Sequence, residues 1–443
     1  MYLGYQMKPE EPKRPTFAEA ARFWLKLGLI SFGGPAGQIA IMHAELVERR
    51  KWISEARFLH ALNFCMLLPG PEAQQLATYL GWLLHKTWGG IVAGTLFVLP
   101  SALLLWGLSY VYVVYGTLPW VAALFFGLKP AVLAIIAAAI FRIGGKILTH
   151  GAMWALAALA FVAISFLHLP FPVIVIAGGL VGLIGGKFWP GQFLVIGTSP
   201  KNSGAALIGD NDAAAEHTKP TWSRAIRVAG ACLTLWWLPV LAAGFWLGWN
   251  DTVFRQGVFF SKAAMVTFGG AYAVLPYVSQ QAVGNYEWLT AGQMLDGMGL
   301  AETTPGPLII VLQFVGFLGA WHHPGSLPSL VAATLGAAIT TWTTFLPSFL
   351  WIFLGAPHIE NLRGNKNLSA ALSAITATVV GVMLSLAFWF GAHVIYPQTV
   401  DWFALTVTVI ALFGLLRLRW PVIPVIVGAA LAGFLWMTGH QWA

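Results

Sequence analysis

Two short motifs recur in this chain at one fixed spacing. Phe32-Gly33-Gly34, Trp52 and Pro69-Gly70-Pro71 return 236 positions later as Phe268-Gly269-Gly270, Trp288 and Pro305-Gly306-Pro307. Lys26 is matched in the same way by Lys262. Three separated landmarks at one offset mark a duplicated unit, so whatever this chain builds, it builds twice. Two of the three landmarks are also helix breakers. Glycine exposes backbone, and proline lacks an amide donor and clashes with the preceding turn.

The surroundings of the breaks decide the solvent. Of 443 residues, 58% are hydrophobic and only 9% are charged, against about 25% charged in an ordinary soluble domain. So much apolar surface does not fit inside a soluble core, which predicts an all-α polytopic membrane protein. Long apolar runs without strand alternation exclude a barrel. Interrupted stretches are expected over 16–48 and 58–85, then continuous runs over 91–114, 118–141, 152–167 and 172–186. The second unit repeats this with interrupted stretches over 258–280 and 291–320 and runs over 329–354, 369–392, 402–416 and 421–438. The expected organisation is an N-terminal repeat over 16–186, a hydrophilic cytoplasmic linker over 187–224, a connecting transmembrane helix over 225–247 and a C-terminal repeat over 255–438. Met1 to Arg14 is polar and does not read as a signal peptide. Cys65 and Cys232 lie in apolar segments and indicate neither a disulfide framework nor a metal site. The net charge of +8 is loop charge, and nucleic acid is not an expected partner.

Loop charge predicts how the units sit. Arg49, Arg50, Lys51 and Arg57 surround Trp52, whereas the copy around Trp288 has no Lys or Arg between 280 and 293. The loop at 115–119 has none, but its counterpart holds Arg363 and Lys366. Arg142 and Lys146 follow the run at 118–141, but 393–401 has none; 168–171 has none, but Arg417 and Arg419 follow 402–416. Basic loops stay cytoplasmic, so a swap at four successive loops predicts two inverted repeats. The unpaired span at 225–247 supplies the odd crossing that inversion requires. The broken stretches fit either as re-entrant hairpins or as pairs of full crossings.

Each break exposes a helix N-terminus at membrane depth, where unpaired amides and about half a positive charge attract an anion. The expected site is a polyatomic anion among Gly33, Gly34, Pro35, Pro69, Gly70, Pro71, Gly269, Gly270, Pro305, Gly306 and Pro307. Lys26 and Lys262 lie about two helical turns before the Gly-Gly breaks and are candidate counter-charges, with snorkelling to the interface as the alternative. Gln38, Tyr272 and Thr304, with Asn63, Gln74, Gln75 and Thr303, are candidate hydrogen-bond donors to oxyanion oxygens. Glu72 and Glu302 are candidate proton-coupling groups, Glu72 alternatively compensating a helix dipole. Their positions in the other unit carry Leu308 and Met66, so the halves differ there. Asp296 is expected to face a loop. No phosphate loop, zinc motif or catalytic constellation is present, so neither a cofactor nor an enzyme is expected.

Several stretches together resemble the chromate ion transporter family in its long, two-domain form. They are Leu27-Gly28-Leu29-Ile30-Ser31-Phe32-Gly33-Gly34-Pro35, Glu48-Arg49-Arg50-Lys51-Trp52-Ile53, Leu68-Pro69-Gly70-Pro71 and Phe97-Val98-Leu99-Pro100-Ser101. The second half offers Thr267-Phe268-Gly269-Gly270-Ala271-Tyr272, Thr304-Pro305-Gly306-Pro307 and Phe345-Leu346-Pro347-Ser348. The resemblance implies a bacterial inner-membrane exporter of chromate that confers chromate resistance, and it carries site roles onto the Gly-Gly and Pro-Gly-Pro residues. Ala271 stands where the first half has Pro35. The partners expected are a chromate- or sulfate-like oxyanion, the lipid bilayer and, as an option, a second copy in a homodimer. A sulfate transporter or exchanger and an anion channel are the competing functions.

Overall fold

The computed structural model describes residues 15–32, 34–194, 207, 221–358 and 366–441. Gly33, Arg363 and most of the linker at 187–224 lie outside the described residues. Among the described residues the secondary structure is helical. In the first unit α1 is Phe17–Ile30, α2 is Gly34–His43, α3 is Glu55–Leu67, α4 is Glu72–Tyr115, α5 is Pro119–Ile147, α6 is Gly151–Ser165 and α7 is Phe171–Phe188. A short α8 (Pro190–Phe193) and the connecting α9 (Trp222–Leu247) follow. The second unit comprises α10 (Thr252–Met265), α11 (Ala271–Ser279), α12 (Ala291–Thr303), α13 (Val311–His322), α14 (Ser329–Gly355), α15 (Lys366–Ile395), α16 (Trp402–Leu416) and α17 (Val422–Gln441). Among the described residues seven helices are long and apolar enough to cross a membrane, which makes this a polytopic helical membrane protein.

The duplication is carried into backbone detail. α2 and α11 each run on into a π-helical turn, Ala44–Arg49 and Gln280–Asn285. Each turn ends at a residue with positive φ, Lys51 (51°) and Glu287 (52°). The Trp52 and Trp288 amides then close back on Leu46 and Ala282 carbonyls, both at 2.8 Å. Ser54 and Thr290 cap α3 and α12 by accepting from Arg57 N and Gln293 N, each at 3.2 Å. The pattern lies in turn chemistry: a hydroxyl N-cap three residues before a free amide starts the helix after each tryptophan.

The 44-residue α4 is two limbs. His85 and Lys86 leave the helical region, Lys86 with φ 56°, and the limbs fold back on each other. A Cβ on Gly81 would stand 2.5 Å from Ala93 Cβ, whereas twelve residues of straight helix span about 18 Å. The equivalent hairpin in the second unit is α13–α14, where a Cβ on Gly336 would stand 2.5 Å from the Gly316 carbonyl oxygen.

The interrupted stretches turn back on themselves. α1 begins beside the hairpin tip, the Phe17 and His85 rings being 5.6 Å apart. The chain then returns after α2 to the same end, where Trp52 packs on Phe23 at 5.8 Å and Arg50 lies over both rings. In the second unit Trp288 packs on Phe259 and Phe260 midway along α10, and His322 bonds the Trp288 carbonyl at 2.9 Å.

Candidate functional site

The four breaks do two different jobs. The Pro-Gly-Pro breaks are sites of assembly. The Gly70 amide donates to the Thr267 carbonyl at 2.7 Å, and the Gly306 amide donates to the Ser31 carbonyl at 2.7 Å. Each unit thus closes the broken helix of the other with the same bond. The fit is tight: a Cβ on Gly70 would stand 2.8 Å from Ser348 Oγ, and one on Gly306 2.5 Å from Ser101 Oγ. Both glycines have φ well above zero, 128° and 108°, where a side chain is strained. The Gln75 amide donates to the Pro69 carbonyl at 2.8 Å, the Gln38 amide donates to the Gly306 carbonyl, and Thr304 Oγ1 is used by the Ala301 carbonyl at 2.9 Å. Gly306, Pro305, Pro307, Gly70 and Pro71 are buried, with Pro69 partly so. These residues hold the two units together, and the Gly70 and Gly306 amides already have protein acceptors.

The Gly-Gly breaks face open space. A cavity of about 770 Å³ is lined by Gly34 and Pro35 from the first break, and by Phe268, Gly269, Gly270, Ala271 and Tyr272 from the second. Glu72, Glu302, Arg142 and Thr376 complete its inner part. Nothing stands within 4 Å of a Cβ built on Gly34, and only Thr376 Oγ1 (3.8 Å) and Glu72 Oε1 (4.0 Å) approach those on Gly269 and Gly270. All three glycines have positive φ, 71°, 79° and 90°. Gly270 is the N-cap of α11 and brings no side chain to cap it. The Ala273 amide turns back to the Gly270 carbonyl at 3.1 Å, which leaves the Ala271 and Tyr272 amides, both on residues that line the cavity, as the uncapped start of α11. Tyr272 Oη donates to Glu302 Oε1, with Arg142 in electrostatic range of both.

The cavity's mouth is at the ends of α2, α3 and α5, where His43, Glu48, Glu55 and Lys146 line it, with Glu48 exposed and Glu55 half-buried. His43 ties this mouth together: Nε2 lies 2.5 Å from Glu55 Oε2 and Nδ1 3.2 Å from Glu48 Oε1. Arg142 and Lys146 look like loop charges, but α5 continues to Ile147 and presents them to the cavity. Lys26 and Lys262, by contrast, are exposed on α1 and α10 among the exposed Leu25, Leu29 and Met265 and do not line the cavity. Asp296 is not loop-facing but buried, 4% exposed, on α12. Glu302 is buried and Glu72 partly so. A basic residue ending an apolar run is the signal that could have found Arg142, had the run been allowed one more turn.

Comparison with known proteins places this geometry. A family model described as chromate transporter matches residues 18–183 and 254–434, one match for each unit. The chain belongs to the chromate transporter family. It is 30% identical over 423 residues to the chromate transport protein of Cupriavidus metallidurans, covering 95% of this chain and 93% of the relative. It is 34% identical to the chromate transport protein of Pseudomonas aeruginosa, covering 82% and 78%. A Bacillus subtilis relative, the uncharacterized transporter YwrB, is 30% identical over 157 residues that make up 79% of its own length but 35% of this chain. The matched length is close to that of one unit, 18–183. No solved structure matches the chain. As a member of this family the protein is a multi-pass membrane transporter and not an enzyme.

Proposed function

We propose that the protein is a secondary transporter that exports chromate across the inner membrane by alternating access between inverted repeats, and so confers chromate resistance. One observation carries the reading: the Gly-Gly breaks of both units open on one cavity that also holds Arg142. A tetrahedral dianion is suited by convergent backbone amides, a helix N-terminus and a guanidinium. Leaving an inside-negative cell, a dianion gains about 4.6 kcal/mol per 100 mV, at about 2.3 kcal/mol per charge, so export needs no ATP. Glu72 and Glu302 sit where an ionised carboxylate would repel the substrate. Proton uptake at one or both accompanies anion binding and links transport to the proton gradient.

The inverted arrangement is supported by what flanks α9. Arg224, at its start, lies over Trp82 near the tip of the first unit's hairpin, 5.2 Å from the ring. Trp249, just past its end, packs on Phe254 at the start of the second unit, 5.0 Å between rings. A 26-residue helix is about 39 Å long, enough to cross the bilayer. The two units then turn their hairpin tips to opposite faces. Cysteine labelling tests this directly. In a Cys65→Ala, Cys232→Ala background, Arg49→Cys is expected to react with a membrane-impermeant maleimide only from the cytoplasm and Asn285→Cys only from outside. Reaction of both from one face refutes the inversion.

Transport is tested in everted vesicles with labelled chromate, with voltage and pH gradients imposed separately and sulfate as competitor. Uptake is expected to rise with an interior-positive voltage and to respond to the pH gradient. The Glu72→Gln, Glu302→Gln double variant is expected to lose the pH response. Uptake of sulfate in preference to chromate overturns the substrate assignment, and ohmic current far above transporter turnover overturns the mechanism in favour of a channel.

A further inference from the structure

A second charged group lies on α5 outside the cavity lining, and the helix measures the distance. Ile135 is the first α5 residue in the lining and Arg142 lies further towards the mouth. Lys129 precedes Ile135 by six residues and Arg142 by thirteen, about 9 Å and about 20 Å along the helix axis. Its Nζ stands 3.8 Å from Asp296 Oδ2, and Tyr112 Oη donates to the same oxygen at 2.9 Å. Asp296 is 4% exposed and its Oδ1 has no hydrogen-bond partner, a costly state for a buried carboxylate. The Lys129 side chain is 32% exposed. One residue away the helices touch: Leu128 Cγ is 2.8 Å from where a Cβ on Gly299 would stand.

The duplication supplies the comparison. α12 is the copy of α3, and α15 follows its hairpin as α5 follows the first. Phe58, Leu59 and Leu62 of α3 line the same open cavity as Leu372, Ile375 and Thr376 of α15. Of two equivalent helix pairs, one is parted by the cavity and the other is shut by Leu128, Gly299 and the Lys129–Asp296–Tyr112 cluster. Small displacements of packed helices are how such pairs exchange states.

We propose that the α12–α5 contact is the outer gate, and that Lys129, freed from Asp296 as the gate parts, is the cation that takes the oxyanion on its outward side. The inference rests on the export reading above. With the gate shut, Asp296 neutralises Lys129 and Leu128 fills the path. With it open, an anion leaving Arg142 meets a positive group about 20 Å further along α5. A two-sided transporter needs such a group on each side of its barrier, or the anion has no favourable place to go.

The test is a reversible lock. Leu128→Cys with Gly299→Cys, in the Cys65→Ala, Cys232→Ala background, places the two Cβ atoms within disulfide range. After oxidation, binding of labelled chromate at the cytoplasmic side is expected to persist while transport falls about tenfold or more and returns with reductant. Transport by the cross-linked protein at the reduced rate overturns the gate and leaves the cavity standing. Absence of chromate binding in the reduced protein overturns the cavity reading and the gate with it. Lys129→Gln is expected to keep cytoplasmic-side binding and lose about tenfold in transport, with recovery in Lys129→Arg. Full transport in Lys129→Gln, or equal loss of binding and transport, overturns the role given to Lys129.

Discussion

Gly270→Leu is expected to abolish chromate transport while leaving the protein in the membrane at its normal level. The residue holds φ at 90° with ψ at −179°, so any side chain adds strain of about 1–3 kcal/mol, a tolerable loss for a large helical protein. The space in front of it is empty, with Glu72 Oε1 4.0 Å from the position of a Cβ. A leucine there occupies the volume the anion needs and covers the first amides of α11. Gly306→Leu is expected to fail in the opposite way. Its Cβ would meet Ser101 at 2.5 Å, in a junction where its own amide is bonded to the Ser31 carbonyl. Strain and overpacking together come to about 2–6 kcal/mol, read as lost yield and lowered melting temperature. Fluorescence-detected size exclusion and vesicle uptake, measured on both variants, separate the two. Normal transport in Gly270→Leu counts against the site.

The second large effect is expected at Arg142. It faces the cavity beside Tyr272 and Glu302 and is the one arginine among the lining residues. Charge-assisted hydrogen bonds are worth about 1.5–3 kcal/mol, so Arg142→Gln is expected to weaken chromate binding by about 10- to 150-fold. Arg142→Lys keeps the charge but loses the paired donors, and an intermediate loss is expected. Lys26→Gln, on the exposed face of α1, serves as the contrast and is expected to bind chromate normally. Equal effects at Lys26 and Arg142 argue for long-range attraction without a defined site.

The helices and their interruptions were legible because each has a local cause. Apolar runs set the spans, Gly-Gly and Pro-Gly-Pro set the breaks, and Ser54 and Thr290 set the restarts. The sequence also ends one interrupted stretch at 85 and begins the next run at 91, so the fold-back at His85 and Lys86 falls at an expected junction, beside Gly89-Gly90. The division of labour between the breaks was not legible. Four equivalent-looking interruptions all promise free amides, and only the tertiary packing shows that Gly70 and Gly306 spend theirs on the opposite unit. The charges were misjudged for a related reason. A lysine at an attractive helical spacing says nothing about which way its helix is turned, and α1 and α10 turn Lys26 and Lys262 outwards. Asp296 needed the opposite correction, since its partners Tyr112 and Lys129 lie 184 and 167 positions away.

The crossed bonds from Gly70 to Thr267 and from Gly306 to Ser31 bind the fate of each unit to the other. A lone unit would leave a central amide and a central carbonyl without mates in a place water does not reach, a penalty of several kcal/mol for each. A chain that carried one unit alone would therefore need a complement in a second polypeptide before it could settle in the bilayer. Fusion of the two units in this protein makes that pairing intramolecular, and so independent of how much of either half the cell makes.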